Sequence, residues 1–243
     1  MKYPSGACKS LYLSNANPTD VLVFPDQETL AHTLADALEQ QICASVVARG
    51  ACRLVFPGGR SPRRVFELLR ERNMPWQALH FYPSDERCVP VGDPQRNDRI
   101  IEEVFLREVP LPLENLHSIP AELGPEDGAA WFSQLLLRTP PFDIVLLGVG
   151  PDGHTASLFP ESPALRDDRA AVPVFNAPKP PSERVSIGMR RLRDASERLV
   201  IVTGNEKKVL IARLESGEKF PVTQVHPTKW FVEKSLVSGA QGE

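Results

Sequence analysis

The arrangement in this chain best suited to acid–base chemistry is a histidine two residues after an aspartate, on a glycine-rich segment. It reads Gly148-Val149-Gly150-Pro151-Asp152-Gly153-His154-Thr155-Ala156-Ser157-Leu158-Phe159-Pro160. Side chains at i and i+2 of a loop can converge on one cavity. An imidazole titrating near neutrality can take a proton from water and later return it. A lone histidine is more often structural, but His154 has an acid and several glycines around it at the end of an apolar strand. The segment also contains a literal GxGxxG, so a dinucleotide site must be weighed. Asp152 argues against it, because it would put a carboxylate where the pyrophosphate should sit. Nor does an acidic residue end the next strand to hold a ribose.

Three further groups could bind an anion. Phe56-Pro57-Gly58-Gly59-Arg60-Ser61-Pro62 follows a strand. Gly58 and Gly59 let the backbone approach a ligand, while Ser61 and Pro62 suit a helix start whose free N–H groups can hold phosphate. A plain strand-to-helix turn explains the same residues equally well. Ser84-Asp85-Glu86-Arg87 taken alone reads as a solvated turn. Beside a phosphate cradle, Arg87 becomes a candidate bidentate anion ligand. Arg184 opens a strand and Lys207 lies on the first turn after Gly204; each alone is an ordinary surface charge. No His, Cys or carboxylate set has the usual metal-ligand spacing, so no metal or other cofactor is expected.

These groups need a scaffold that places them at strand ends. Val21–Phe24, Cys52–Phe56, Leu79–Tyr82 and Phe142–Val149 read as strands, with Val172–Phe175, Arg184–Met189 and Leu199–Thr203 as later ones. The most apolar, Phe142–Val149, belongs at the sheet centre. Helices fall between them. One follows the N-cap Asp26, with Leu30, Leu34, Leu38 and Ile42 spaced by four. Others run from Ser61-Pro62 to about Arg72, from Asn97 or Asp98 as cap through Ile101, Val104 and Phe105, over Glu126–Leu137, and from about Glu206 to Leu214. Trp230–Val237 closes the pattern as a short strand or helix. Pro173–Pro181 is expected to be a surface loop. Alternation of strand and helix predicts a layered α/β fold with a mainly parallel sheet, in one domain over residues 1–243. Ligands of such folds bind beyond the C-terminal strand ends, where the sharp motifs fall.

Composition narrows the partners. The chain has 243 residues, 42% of them hydrophobic and 24% charged, with a formal net charge of −3. No basic excess suggests a nucleic acid. No apolar run approaches membrane-spanning length, and the N-terminal segment lacks the apolar core of a signal peptide. Cys8, Cys43, Cys52 and Cys88 form no CxxC pair. Unpaired thiols in a reducing, cytoplasmic setting are the expectation. A monomer or small homo-oligomer is the expected assembly.

Taken together, the motifs resemble the 6-phosphogluconolactonase family. Gly148–Pro160 is very like its signature, and FPGGRSP, the Ser84–Pro90 segment, Arg184 and Gly204-x-x-Lys207 follow in the same order and spacing. The resemblance implies a Rossmann-like three-layer α/β/α sandwich similar to glucosamine-6-phosphate deaminase and ribose-5-phosphate isomerase. It also implies hydrolysis of 6-phospho-glucono-1,5-lactone, a small sugar phosphate, in the second step of the oxidative pentose phosphate pathway. On that likeness His154 is the base and Asp152 its partner. Gly58, Gly59, Arg60, Ser61, Asp85, Arg87, Arg184 and Lys207 line the substrate site. Arg60 and Arg96 depart from the family pattern, where relatives often carry Ser or Thr and Ser. Related deaminases carry a Glu five residues after the histidine, where this chain has Phe159. The alternatives are a deaminase or isomerase, or a non-catalytic sugar-phosphate sensor.

Overall fold

A computed structural model describes residues 20–237; Cys8 and the N-terminal reading lie outside them. The first part of the chain forms β1 (Asp20–Phe24), α1 (Gln27–Arg49), β2 (Cys52–Phe56), α2 (Arg63–Arg70), β3 (Leu79–Pro83), β4 (Asp85–Arg87) and α3 (Asn97–Val104). The rest forms α4 (Pro125–Arg138), β5 (Ile144–Gly148), β6 (Ala171–Val174), β7 (Arg184–Ile187), α5 (Met189–Arg193), β8 (Glu197–Val202), α6 (Lys208–Glu215), α7 (Pro221–Gln224) and β9 (Lys229–Glu233). Short 3₁₀ turns join several of them.

Six strands make one wholly parallel sheet in the order β1-β9-β8-β5-β2-β3. The most apolar strand, β5, lies inside it between β8 and β2, as expected. Its pleat shows why three layers form. Ile144 and Leu146 enter one core, with Leu34, Phe66 and Ile101 from α1, α2 and α3. Val145 and Leu147 enter the other, with Phe132 and Leu210 from α4 and α6. A strand buried on both faces has no polar side to show. Helix α1 begins where Asp26 accepts from the Thr29 N–H at 2.7 Å and ends at Gly50, whose φ of 75° favours glycine.

Several expectations need correction. The segment around Ser84–Arg87 is not a solvated turn: Asp85–Arg87 is a strand pairing antiparallel with β7, which in turn pairs with β6. The strands expected at Val172–Phe175 and Arg184–Met189 thus belong to a second, three-stranded antiparallel sheet. The Ser133 hydroxyl of α4 ties to it, donating to the Ala171 carbonyl at 2.9 Å and accepting from its N–H at 2.8 Å. Pro173 lies in β6, so the proline-rich loop starts after Val174. Ser61 does not cap α2, because the helix is entered through Pro62. Neither Asn97 nor Asp98 caps α3. The Glu86 carboxylate of β4 does so from outside, accepting the Asn97 and Asp98 N–H groups at 2.8 Å each. The close of the chain is both strand and turn, β9 followed by Lys234–Leu236.

Candidate active site

A cavity of about 570 Å³ opens at the C-terminal ends of β2, β5 and β8. Gly58, Gly59, Arg60, Ser61, Asp85, Arg87, His154, Arg184 and Lys207 all line it. Asp152 does not. It stands behind His154, in the wall of an adjoining cavity that it shares with Phe159.

The histidine is held from several sides. The Gly150 N–H donates to the His154 carbonyl at 2.9 Å, and the Gly153 N–H donates to that of Gly150 at 2.9 Å, closing a tight loop after β5. Gly153 has a φ of 81°, and a side chain there would collide with Phe220. The Asp152 carboxylate accepts from His154 Nδ1 at 2.5 Å. A carboxylate can only accept, so the proton sits on Nδ1 and Nε2 is left as the basic nitrogen. Burial pushes the Asp152 carboxyl up, but the hydrogen bond and charge of His154 outweigh it and hold it below the usual range. Asp152 is therefore an anion that fixes the tautomer. The Phe159 ring packs 4.5 Å from the imidazole, and the Arg184 guanidinium lies 5.6 Å from the centre of the same ring. After Gly153 the chain runs through turns to a short 3₁₀ turn at Pro163–Arg166. The GxGxxG therefore opens no helix of the dinucleotide kind.

The cations line the same cavity as the histidine. Arg87 and Arg184 are direct partners across β4 and β7. Like charges directly opposite on an antiparallel pair oppose folding. Neither makes an ion pair with a carboxylate within 4.0 Å among the described residues; each bonds backbone carbonyls instead. Arg87 Nε is buried with no partner among the described residues. Burial pulls Arg184 below its ordinary pKa, aided by Arg87 and opposed by Asp85 and Glu86. Lys207 is also buried, and burial lowers its pKa despite the nearby Glu206, with Arg60 and Lys179 adding to the effect. Its Nζ donates to the Thr203 carbonyl at 3.2 Å. Freed from capping, the Ser61 hydroxyl faces the cavity and accepts from Thr203 Oγ1 at 3.1 Å.

Asp85 is placed differently from the cations. Its carboxylate accepts from the Ser84 and Ser157 hydroxyls at 2.7 Å each. Among the cavity residues not expected from the sequence are Lys179 and Asn97. Lys179 stands in the proline-rich loop without a motif, and Asn97 reads only as a helix start. Arg96 points elsewhere, into an ion-pair network with Asp98 and Glu122. Among the described residues no group of three or more His, Cys, Asp or Glu is placed to hold a metal, and no helix is long and apolar enough to cross a membrane.

The family model of glucosamine-6-phosphate isomerases/6-phosphogluconolactonase matches residues 25–236. A 6-phosphogluconolactonase of Streptomyces coelicolor is 34% identical over 216 residues, which cover 81% of this chain and 83% of that protein. The crystal structure of the 6-phosphogluconolactonase from Thermotoga maritima superposes with a TM-score of 0.82 at 28% identity, covering 88% of this chain and 99% of its own. A monomeric glucosamine-6-phosphate deaminase shares the fold, with a TM-score of 0.78 at 17% identity over 89% of this chain and 98% of its own.

Proposed function

The chain belongs to the glucosamine-6-phosphate isomerase/6-phosphogluconolactonase family, and we propose that it hydrolyses 6-phospho-glucono-1,5-lactone with His154 as the base. The observation that carries this reading is the meeting of two charge systems in one cavity. One is a histidine whose Nδ1 is tied to a carboxylate. The other is the pair Arg87 and Arg184, which sit opposite each other across β4 and β7 with no carboxylate partner among the described residues.

The phosphate settles against the Gly58–Ser61 backbone, Arg60 and Lys207, which answers the buried charge of Lys207. That remote contact positions the lactone carbonyl. Nε2 of His154 takes a proton from water as the oxygen attacks the carbonyl carbon. Arg87 or Arg184 stabilises the oxyanion that forms. The intermediate collapses, the bond from carbonyl carbon to ring oxygen breaks, and the imidazolium gives its proton to that oxygen. The product acid then ionises. Asp85, an anion already bonded by two serines, belongs beside the sugar hydroxyls rather than the phosphate. The thiols of Cys43, Cys52 and Cys88 are free, which fits a reducing compartment and a cytoplasmic enzyme.

Freshly made lactone, assayed with correction for spontaneous hydrolysis, tests the reading directly. His154→Ala should lose roughly 10²–10⁴-fold in kcat while its melting temperature stays near wild type. A folded His154→Ala protein with wild-type kcat defeats the mechanism. Release of ammonia from glucosamine 6-phosphate would favour the deaminase instead. Against that outcome stands Phe159, an apolar ring packed beside His154 where a deaminase carries a carboxylate.

A further inference from the structure

Asn97 opens α3 and is only 2% exposed, and it is joined to β4 and lies against Gly58. Its backbone N–H is taken by Glu86, as described above. Its Nδ2 donates to the Asp85 carbonyl of β4 at 2.9 Å. Its Oδ1 is buried and accepts from nothing among the described residues. That oxygen lies against the glycine that opens the anion cradle: a Cβ at Gly58 would come within 2.0 Å of Oδ1 and 2.3 Å of Cγ. Gly58, Asp85, Arg87 and Asn97 all face the same cavity.

A carboxamide left half-satisfied at a buried position is costly. Helix capping does not explain it, because Glu86 already supplies the cap. The φ of Gly58 is not in the left-handed region either, so its lack of a side chain answers to the packing of Asn97 and not to backbone shape. We propose that Asn97 is a positioning residue for the anion cradle. Its carboxamide is the spacer that sets the gap between Gly58 and β4. The N–H groups after β2 and the guanidinium of Arg87 then converge on one phosphorylated substrate. Geometry held to within an ångström is what such convergence requires. The inference rests on the lactonase reading only for the identity of the ligand.

A double-mutant cycle tests it, with 6-phosphogluconate titrated into purified protein and the dissociation constant and stoichiometry both read. Asn97→Ala should weaken binding at least about tenfold, and the near-isosteric Asn97→Asp, which cannot donate to the Asp85 carbonyl, should do the same. Gly58→Ala should weaken the wild type at least about tenfold, but add less than about threefold in the Asn97→Ala background, where the collision is gone. A merely structural Asn97 would lower the melting temperature and the stoichiometry and leave the dissociation constant within about twofold of wild type. That result, or strictly additive losses, overturns the proposal. Failure of the wild type to bind 6-phosphogluconate would instead count against the lactonase reading. The same cycle read with inorganic phosphate by line broadening then decides the role of Asn97 on the same two criteria.

Discussion

Gly150 lies directly against the imidazole of His154: a Cβ at that position would come within 2.1 Å of both Cε1 and Nδ1 of the ring. The contact is backbone to side chain within one tight loop, so neither partner can retreat without opening it. Asp152 and the Phe159 ring limit the imidazole further. The orientation of the base is thus built by the absence of a side chain as much as by the carboxylate behind it.

Gly150→Ala should therefore act like a loss of the base. The φ of Gly150 is not in the left-handed region, so the backbone tolerates alanine and the ring must move. The expected result is a kcat lowered by roughly 10²–10⁴-fold with KM changed far less. Initial rates and a thermal melt on the same preparation check it. A variant that keeps wild-type kcat would show that the imidazole has room the geometry denies it.

Lys207→Ala should raise KM for the phosphorylated lactone far more than it lowers kcat. Lys207 is buried with its charge only weakly answered, Glu206 being 3.7 Å away and half exposed. Loss of a charge-assisted contact of this kind costs about 1.5–3 kcal/mol, roughly ten- to hundredfold in KM. Unphosphorylated gluconolactone is the control. Equal damage to both substrates would make Lys207 a structural residue.

Much of this was legible from residue types because the signals were local. The apolar run of β5, the Gly-Gly after β2 and the Asp-x-His loop each carry their meaning within a few residues. What escaped depended on partners far along the chain. Asp85-Glu86-Arg87 reads as a polar turn until β7 arrives to pair with it. The cap of α3 comes from Glu86 rather than from the helix's own start, so Asn97 and Asp98 looked like caps by type alone. The packing of Asn97 on Gly58 leaves no periodic trace. Lys179 enters the cavity because its loop is tied to Arg184, whose guanidinium donates to the Lys179 carbonyl.

Arg96, which departs from the family pattern, should prove structural. Its guanidinium is 2% exposed and bonds the Asp98 and Glu122 carboxylates and the Val89 and Ile119 carbonyls. Its carboxylate partners are 20% and 33% exposed, so removing the buried guanidinium costs less than breaking a fully buried pair, about 2–3 kcal/mol. Arg96→Ala should lower the melting temperature by roughly 10 °C in a chain of this length. The KM of the protein that remains folded should be close to wild type. A wild-type melting temperature would refute the network's contribution.

Acid should weaken the fold through a pair of partly buried histidines. His80 Nδ1 lies 3.1 Å from His117 Nε2, and the His117 ring stacks on Tyr82 at 4.3 Å. One of the two facing nitrogens must be unprotonated for the bond to exist, so charging both rings breaks it. Burial, and then the neighbouring His80, push His117 down to about 4; burial and Arg53 push His80 down as well. An unfolded histidine titrates near 6.5. Between about 4 and 6.5 the unfolded chain therefore binds more protons than the folded one, and stability rises with pH across that window. It is fully present above about 6.5 and is lost as pH falls toward 4. His117→Phe keeps the stack on Tyr82 and cannot titrate. Denaturant unfolding at pH 7.0 and 4.5 should show the wild type losing on the order of 1–2 kcal/mol more than the variant, since groups remote from the His80–His117 pair cancel in the comparison. Parallel losses in the two proteins would show that His117 is not held neutral by its burial.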